Sequence, residues 1–231
     1  MRRCHHFWIS SGSCTAAPIF RTRCITLTAL ASRCPASRKS CVLRLTFKPI
    51  CRVPTSEYVV APISDKRLKA YKEFEIANAN KKILTPDQMA VIEGIAQSVS
   101  QHTSADTLLR AGLVEHSIIW QDEETGIWLK IRPDCLCVDF DTGICLDVKK
   151  TTDASKQAFK WACDRYLYDL QAAVYLEGLR QVFKRDFDFV FLPIEEEAPY
   201  GCALYGAPDD MLQDGKRLFR KAMRGLKQCR D

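Results

Sequence analysis

The run ICLDVK, residues 144–149, decides how the rest of the chain reads. Ile144, Cys145 and Leu146 make an apolar strand, and the charges that follow, Asp147 and Lys149, stand two residues apart. Strand residues i and i+2 point to one face, so a carboxylate and an ammonium are presented together at the strand's end. Burying two charges is costly unless they pair or bind an ion. The alternative reading is an ordinary exposed Asp–Lys strand pair.

Upstream lies Arg132-Pro133-Asp134, separated from the DVK strand by the turn Asp141-Thr142-Gly143. Pro133 removes a backbone donor and biases Arg132 toward extended geometry, so Asp134 can reach the same strand end as Asp147. Glu115 opens an earlier strand-like run. Two or three convergent oxygens from Glu115, Asp134 and Asp147 would make a hard, anionic site suited to Mg²⁺ or Mn²⁺. A neighbouring Lys149 would orient or deprotonate a water, or neutralise a pentacovalent transition state. Those are the parts that metal-assisted phosphodiester hydrolysis needs. Gln171 and Tyr175 share a helical face by their i, i+4 spacing. Half-buried packing is their ordinary reading, but their helix follows the DVK strand and this face can line the same cleft.

Around this centre the pattern predicts an α/β domain in the order ααα–ββββ–α–ββ–α. Helices are expected over 65–78, over 86–101 behind a Thr85 cap and Pro86, and over 105–111 behind a Ser104 cap. Strands are expected at 116–121 and 127–132, joined by the turn DEETG, then at 134–139 and 144–149. One long helix over 154–183 would bury Phe159, Cys163, Tyr166, Leu170, Val174 and Leu179. A strand at 187–194, a partner at 201–205 and a basic helix over 208–228 complete the chain.

Composition separates the chain into two parts. Of 231 residues, 47% are hydrophobic and 27% charged, which excludes a disordered chain. No apolar run is long enough for a membrane-spanning helix. The net charge of +6 belongs to the first quarter: residues 1–56 hold ten Lys or Arg and no Asp or Glu. Six of the 12 cysteines also lie there, with no Cys-x-x-Cys pair and no secretory h-region. Residues 1–55 read as a basic, acid-free, Cys-rich segment outside the fold: a spurious extension, an organellar targeting segment, or a basic arm. Residues 56–231 read as the domain proper.

Glu115, RPD ending at Asp134, DVK at 147–149 and QAAVY at 171–175 together resemble the PD-(D/E)XK nuclease superfamily. The stretches EHSIIWQDEETGIWLKIRPD, LDVKKTTDAS and YDLQAAVYLEGL carry the resemblance, which covers roughly residues 57–229. Within the superfamily the pattern is most similar to the RecB-like subset, in the phage and prophage branch that includes the exonuclease domain of exodeoxyribonuclease VIII (RecE-type). The resemblance implies a restriction-endonuclease-like three-layer core with a central mixed sheet flanked by helices. It implies that Asp134, Asp147 and the Val148 carbonyl hold Mg²⁺ or Mn²⁺, that Glu115 completes the site, and that Lys149 serves the water. Gln171 and Tyr175 would support the site and contact DNA.

For the whole protein the resemblance implies a cytoplasmic, bacterial or phage-derived exonuclease that digests duplex DNA 5′ to 3′ in prophage recombination. An oligomeric ring and a single-strand annealing recombinase partner belong to the same branch. One departure is the metal-binding His that RecB-like members carry on an upstream helix; neither His102 nor His116 matches it. A catalytically impaired DNA-binding remnant and a restriction-type endonuclease therefore stand as alternatives. Some relatives hold an iron–sulfur cluster through closely spaced C-terminal cysteines. Here only Cys202 and Cys229 follow the long helix, so no cluster is expected. Cys135, Cys137 and Cys145 read as buried reduced thiols. Lys216, Arg217, Arg220, Lys221, Arg224 and Lys227 form a basic stripe, read either as a grip on DNA phosphates or as a solvated helix face.

Overall fold

The computed structural model describes residues 58–231, so the expectation for residues 1–55 lies outside the described residues. Its centre is the pair of long strands the sequence marks most strongly, β7 (Gly143–Thr151) and β8 (Phe187–Glu195), which run parallel in register from Gly143↔Phe187 to Thr151↔Glu195. Parallel strands need a crossover, and two helices supply it: α4 (Lys156–Tyr166) and α5 (Tyr168–Phe183). On the other side of β7 lies antiparallel β6 (Cys135–Cys137), then antiparallel β3 (Leu113–Val114). Antiparallel β9 (Tyr205–Gly206) closes the far edge. The result is a mixed five-stranded sheet in the order β3-β6-β7-β8-β9.

Alternation along β7 and β8 divides the core between the two faces. Cys145, Phe187, Phe189 and Phe191 face α5 and the C-terminal helix α6 (Asp209–Arg230), where Ala172, Leu179, Phe219 and Met223 are buried. Leu146, Leu192 and Ile194 face α2 (Pro86–Gln101) and α3 (Thr103–Ala111), with Ile95, Val99 and Leu109. The product is the three-layer α/β architecture expected from the sequence, a mixed sheet between helices. Because side chains alternate, Asp147 and Lys149 share the face of Cys145 and are covered by α5.

The structure departs from the sequence reading at several places. The expected 116–121/127–132 hairpin forms as β4 (Ile118–Gln121) and β5 (Trp128–Ile131), but it stands as a separate two-stranded sheet. Its apolar side, Trp120 included, packs onto α5, where a Cβ at Gly178 would come within 2.6 Å of the Trp120 ring. Also outside the main sheet are α1 (Lys69–Ala77) and the unanticipated parallel pair β1 (Tyr58–Val60) and β2 (Lys82–Leu84). The cap of α3 is His102, whose Nδ1 accepts from Ala105 N at 3.3 Å, rather than Ser104. At α2 the Thr85–Gln88 capping box and Pro86 start the helix where the sequence places them.

The single helix expected over 154–183 is broken at Leu167, whose φ of 55° is left-handed and ends α4. The break separates the expected stripe: Phe159, Val174 and Leu179 are buried, whereas Tyr166 is 41% exposed. The basic face of α6 is divided too. Arg220 turns inward to Asp122 at 2.5 Å and Glu177 at 3.1 Å, and Arg224 reaches Glu124 at 2.9 Å. These two arginines tie the β4–β5 turn to the helices, while Lys216, Lys221 and Lys227 are left facing solvent.

Candidate active site

The site forms where β7 outruns β6. Their pairing ends at Cys135↔Leu146, while β7 continues beside β8 as far as Thr151, so residues 147–151 have one open edge. Continuing the register by one step sets Asp134 opposite Asp147. Where β6 peels away, the Asp134 side chain replaces the missing backbone acceptor, and Val148 N–H donates to its Oδ2 at 2.8 Å. A strand residue's N–H and C=O point to the same edge, so the Val148 carbonyl faces this opening as well.

Asp147 is buried, 4% exposed, which demands compensation. Gln171 Nε2 donates to Asp147 Oδ1 at 2.8 Å, and Lys149 Nζ stands 2.6 Å from Oδ2. Lys149 Nζ also donates to Gln171 Oε1 at 2.6 Å and lies 4.2 Å from the centre of the Tyr168 ring. One amide thus holds both charged partners, with its acceptor on the lysine and its donor on the aspartate. The sequence reading put Gln171 on the cleft, and the geometry gives it this bridging position. Tyr175 packs edge-on to Phe189 at 6.0 Å, and burial, with the negative charges of Asp147 and Asp134, pushes its phenol well above the usual range.

Glu115 arrives differently from the expectation. It does not start β4; it occupies the turn after β3 in a left-handed conformation, φ 51°, which is strained for a non-glycine residue. Its N–H donates to the Asp134 carbonyl at 3.0 Å, while its side chain is ion-paired to Arg132 at 2.5 Å. Arg132 Nε also donates to the Glu115 carbonyl at 2.9 Å. The structure therefore brings Asp134, Asp147, Lys149, Gln171 and Tyr175 together, with Glu115 beside them and held by Arg132. Among the described residues, no three His, Cys, Asp or Glu side chains gather closely enough to enclose a metal. His102 serves as a helix cap, and His116 Nδ1 lies 3.0 Å from the Val114 carbonyl oxygen.

A divalent cation nevertheless suits the donors present. Asp147 Oδ2 is buried and faces the Lys149 ammonium at 2.6 Å. Asp134 is pushed up to about 7, first by desolvation and next by the negative charge of Asp147, with the Val148 N–H and Lys149 opposing. Two neighbouring carboxylates make a hard-cation site, and Mg²⁺ commonly takes only one or two carboxylates besides water and substrate phosphate.

The same shift has a consequence for stability. In the unfolded chain Asp134 ionises near its ordinary 3.8, so between that pH and about 7 the folded protein binds the extra proton. Stability of the metal-free protein therefore falls as pH rises through this window. Asp134→Asn is expected to remove that slope and to raise stability at pH 8 by on the order of 2 kcal/mol, with little gain at pH 4. Urea melts at the two pH values, in the presence of a chelator, check this; an equal effect at both would show that Asp134 is ordinarily ionised.

Tyr168 escaped the sequence reading. Its signal was the i, i+3 spacing to Gln171, which places it on the same helical face at the first position of α5.

No curated protein matches this sequence. Among solved structures, one from Eubacterium rectale described as a "Putative exonuclease" superposes with a TM-score of 0.56 at 14% identity, covering 83% of this chain and 68% of that one. A second, described as SSO0001, has a TM-score of 0.35 at 11% identity over 81% of this chain and 87% of that one, too distant to carry an argument. The first likeness supports the fold. The family match is direct: residues 56–231 match the PDDEXK-like domain of unknown function DUF3799, and the chain belongs to that family.

Proposed function

We propose that this chain is a divalent-metal-dependent deoxyribonuclease that hydrolyses phosphodiester bonds at the open edge of β7. The observation that carries the reading is the bridging of Asp147 and Lys149 by Gln171, directly opposite Asp134. Asp134, Asp147 and the Val148 carbonyl are the groups that would hold the metal, with Glu115 completing the site from its turn. Bound there, Mg²⁺ or Mn²⁺ would supply Lewis acidity to a phosphoryl oxygen and lower the pKa of a water. Gln171 fixes Asp147 and Lys149 relative to one another. Lys149, an ammonium held between an amide oxygen, a carboxylate and a ring face, is placed to orient a water and to offset charge on the phosphoryl group.

The resemblance to the exodeoxyribonuclease VIII branch supports exonuclease action on duplex DNA. Polarity of 5′ to 3′, a ring assembly, an annealing recombinase partner and a place in prophage recombination are part of the same proposal. The exposed lysines of α6, Lys216, Lys221 and Lys227, are the groups available to duplex phosphates. No helix among the described residues is long and apolar enough to cross a membrane.

The test is incubation of the full chain with linear and closed-circular duplex DNA in Mg²⁺, Mn²⁺ or chelator. Metal-dependent shortening of the linear DNA with the circle untouched is the expected result, and 5′- against 3′-labelled ends would report polarity. Nicking of the circle would replace the exonuclease with an endonuclease. Inert DNA in both metals would remove the nuclease reading.

A further inference from the structure

A cationic and aromatic ledge leads from the candidate active site to the surface. Lys149 Nζ rests on Tyr168; Tyr168 stacks on Tyr166 with ring centres 5.8 Å apart; and the Arg165 guanidinium lies 5.6 Å from the centre of the Tyr166 ring. Leu167 makes this arrangement possible. Its left-handed conformation breaks the helix so that Tyr168 turns inward to Lys149 while Tyr166 and Leu167, 41% and 46% exposed, turn outward. A leucine held at positive φ is unfavourable, so the surrounding packing imposes the break. On α4, Trp161 is 66% exposed and lies one turn before Arg165, with exposed Lys156 and Lys160 on the same helix and Asp164 as its acidic residue.

Single exposed aromatics are common and mean little. Here, however, the rings form a continuous series that starts on the lysine of the site, and the charges around them are mainly positive. Nucleic acid strands offer the complementary pair of features: anionic phosphates and flat bases with free π-faces. In a duplex those faces are covered by neighbouring pairs except at the terminal pair, so along the body of a duplex an exposed ring series finds a base face only where bases are unpaired.

We infer that Tyr166, with Arg165 against its ring and Trp161 exposed on the same helix, is a stacking surface for the unpaired bases of single-stranded DNA whose phosphate lies at Lys149. The inference rests on the nuclease reading for which phosphate is cut, and it adds that the strand entering the site is separated from its complement at the duplex end. Arg165 contacts the phosphate chain or a base face, while Tyr168 links the ledge to Lys149.

Binding of fluorescein-labelled oligo(dT) and of a long, blunt-ended linear duplex to the full chain, measured by anisotropy in chelator, tests this without cleavage. Tyr166→Ala and Trp161→Ala are expected each to weaken oligo(dT) binding about tenfold. Tyr166→Phe should stay within about twofold of the parent, and duplex binding should be unchanged in all three. Both residues are exposed, so thermal melts should match the parent. Unchanged oligo(dT) binding in Tyr166→Ala, or equal losses on duplex and single strand, would overturn the inference. The two readings fail separately. Ring-dependent oligo(dT) binding without cleavage in any metal removes the nuclease and leaves the ledge, whereas cleavage with binding indifferent to Tyr166 removes the ledge alone.

Discussion

Asp147→Asn is expected to lower metal-dependent DNA cleavage by about 10³-fold or more, with the fold and DNA binding retained. Asparagine has nearly the same shape as aspartate, and its side-chain oxygen can still accept from Gln171 Nε2, so the bridging amide keeps a partner. What disappears is one of the two close negative charges, and with it the attraction for a divalent cation. Lys149 loses its ion pair but keeps Gln171 Oε1 and the Tyr168 ring, which limits the stability cost. Single-turnover cleavage of end-labelled linear duplex at saturating Mg²⁺, beside anisotropy in chelator, separates the two properties. Cleavage within tenfold of the parent would take Asp147 out of the reacting centre, and the proposed mechanism would go with it.

The second large effect concerns the support beneath the site. At Gly215, α6 meets the start of α5 so closely that an added Cβ would collide with the Asp169 carbonyl, its carbon only 2.5 Å away. The colliding atoms are backbone and cannot rotate aside, so the two helices would have to separate. Gly215→Val is therefore expected to cost about 3 kcal/mol, lowering Tm by roughly 6–12 °C. Gly225→Ala, on the same helix, is the control: nothing lies within 4 Å of its Cβ, and alanine should raise stability by up to about 1 kcal/mol. Because Asp169 is two residues from Gln171, the Gly215 substitution should also loosen the Asp147–Lys149 bridge. A valine variant melting with the parent would mean that α5 and α6 do not pack this closely.

Much of the core was legible because it is encoded by short-range pattern. The apolar alternation through ICLDVK and FDFVFLPI gives the two strands at the centre of the sheet, and Thr85-Pro86 marks the start of α2. The i, i+2 spacing of Asp147 and Lys149 puts both charges on one strand face, and the i, i+4 spacing of Gln171 and Tyr175 puts both on one helix face. Such spacings follow from the geometry of an isolated strand or helix, whatever packs against it.

Other features were illegible for an equally physical reason. No residue preference predicts a left-handed leucine at 167 or a left-handed glutamate at 115; each is held there by packing and pairing from distant segments. The β4–β5 hairpin has an ordinary strand pattern, and its separation from the main sheet depends on Trp120 finding Gly178 on α5. The inward turn of Arg220 and the pairing of Arg224 with Glu124 likewise depend on where the DEETG turn comes to rest.

Sequence alone determined which chemical groups the chain owns and which of them share a strand or helix face, because local backbone periodicity settles that. Tertiary structure alone decided that β7 extends past β6, that Asp134 caps the exposed Val148 amide, and that Gln171 spans Asp147 and Lys149. These are relations between segments far apart in the chain, set by register and by the need to compensate buried charge, and no local spacing contains them.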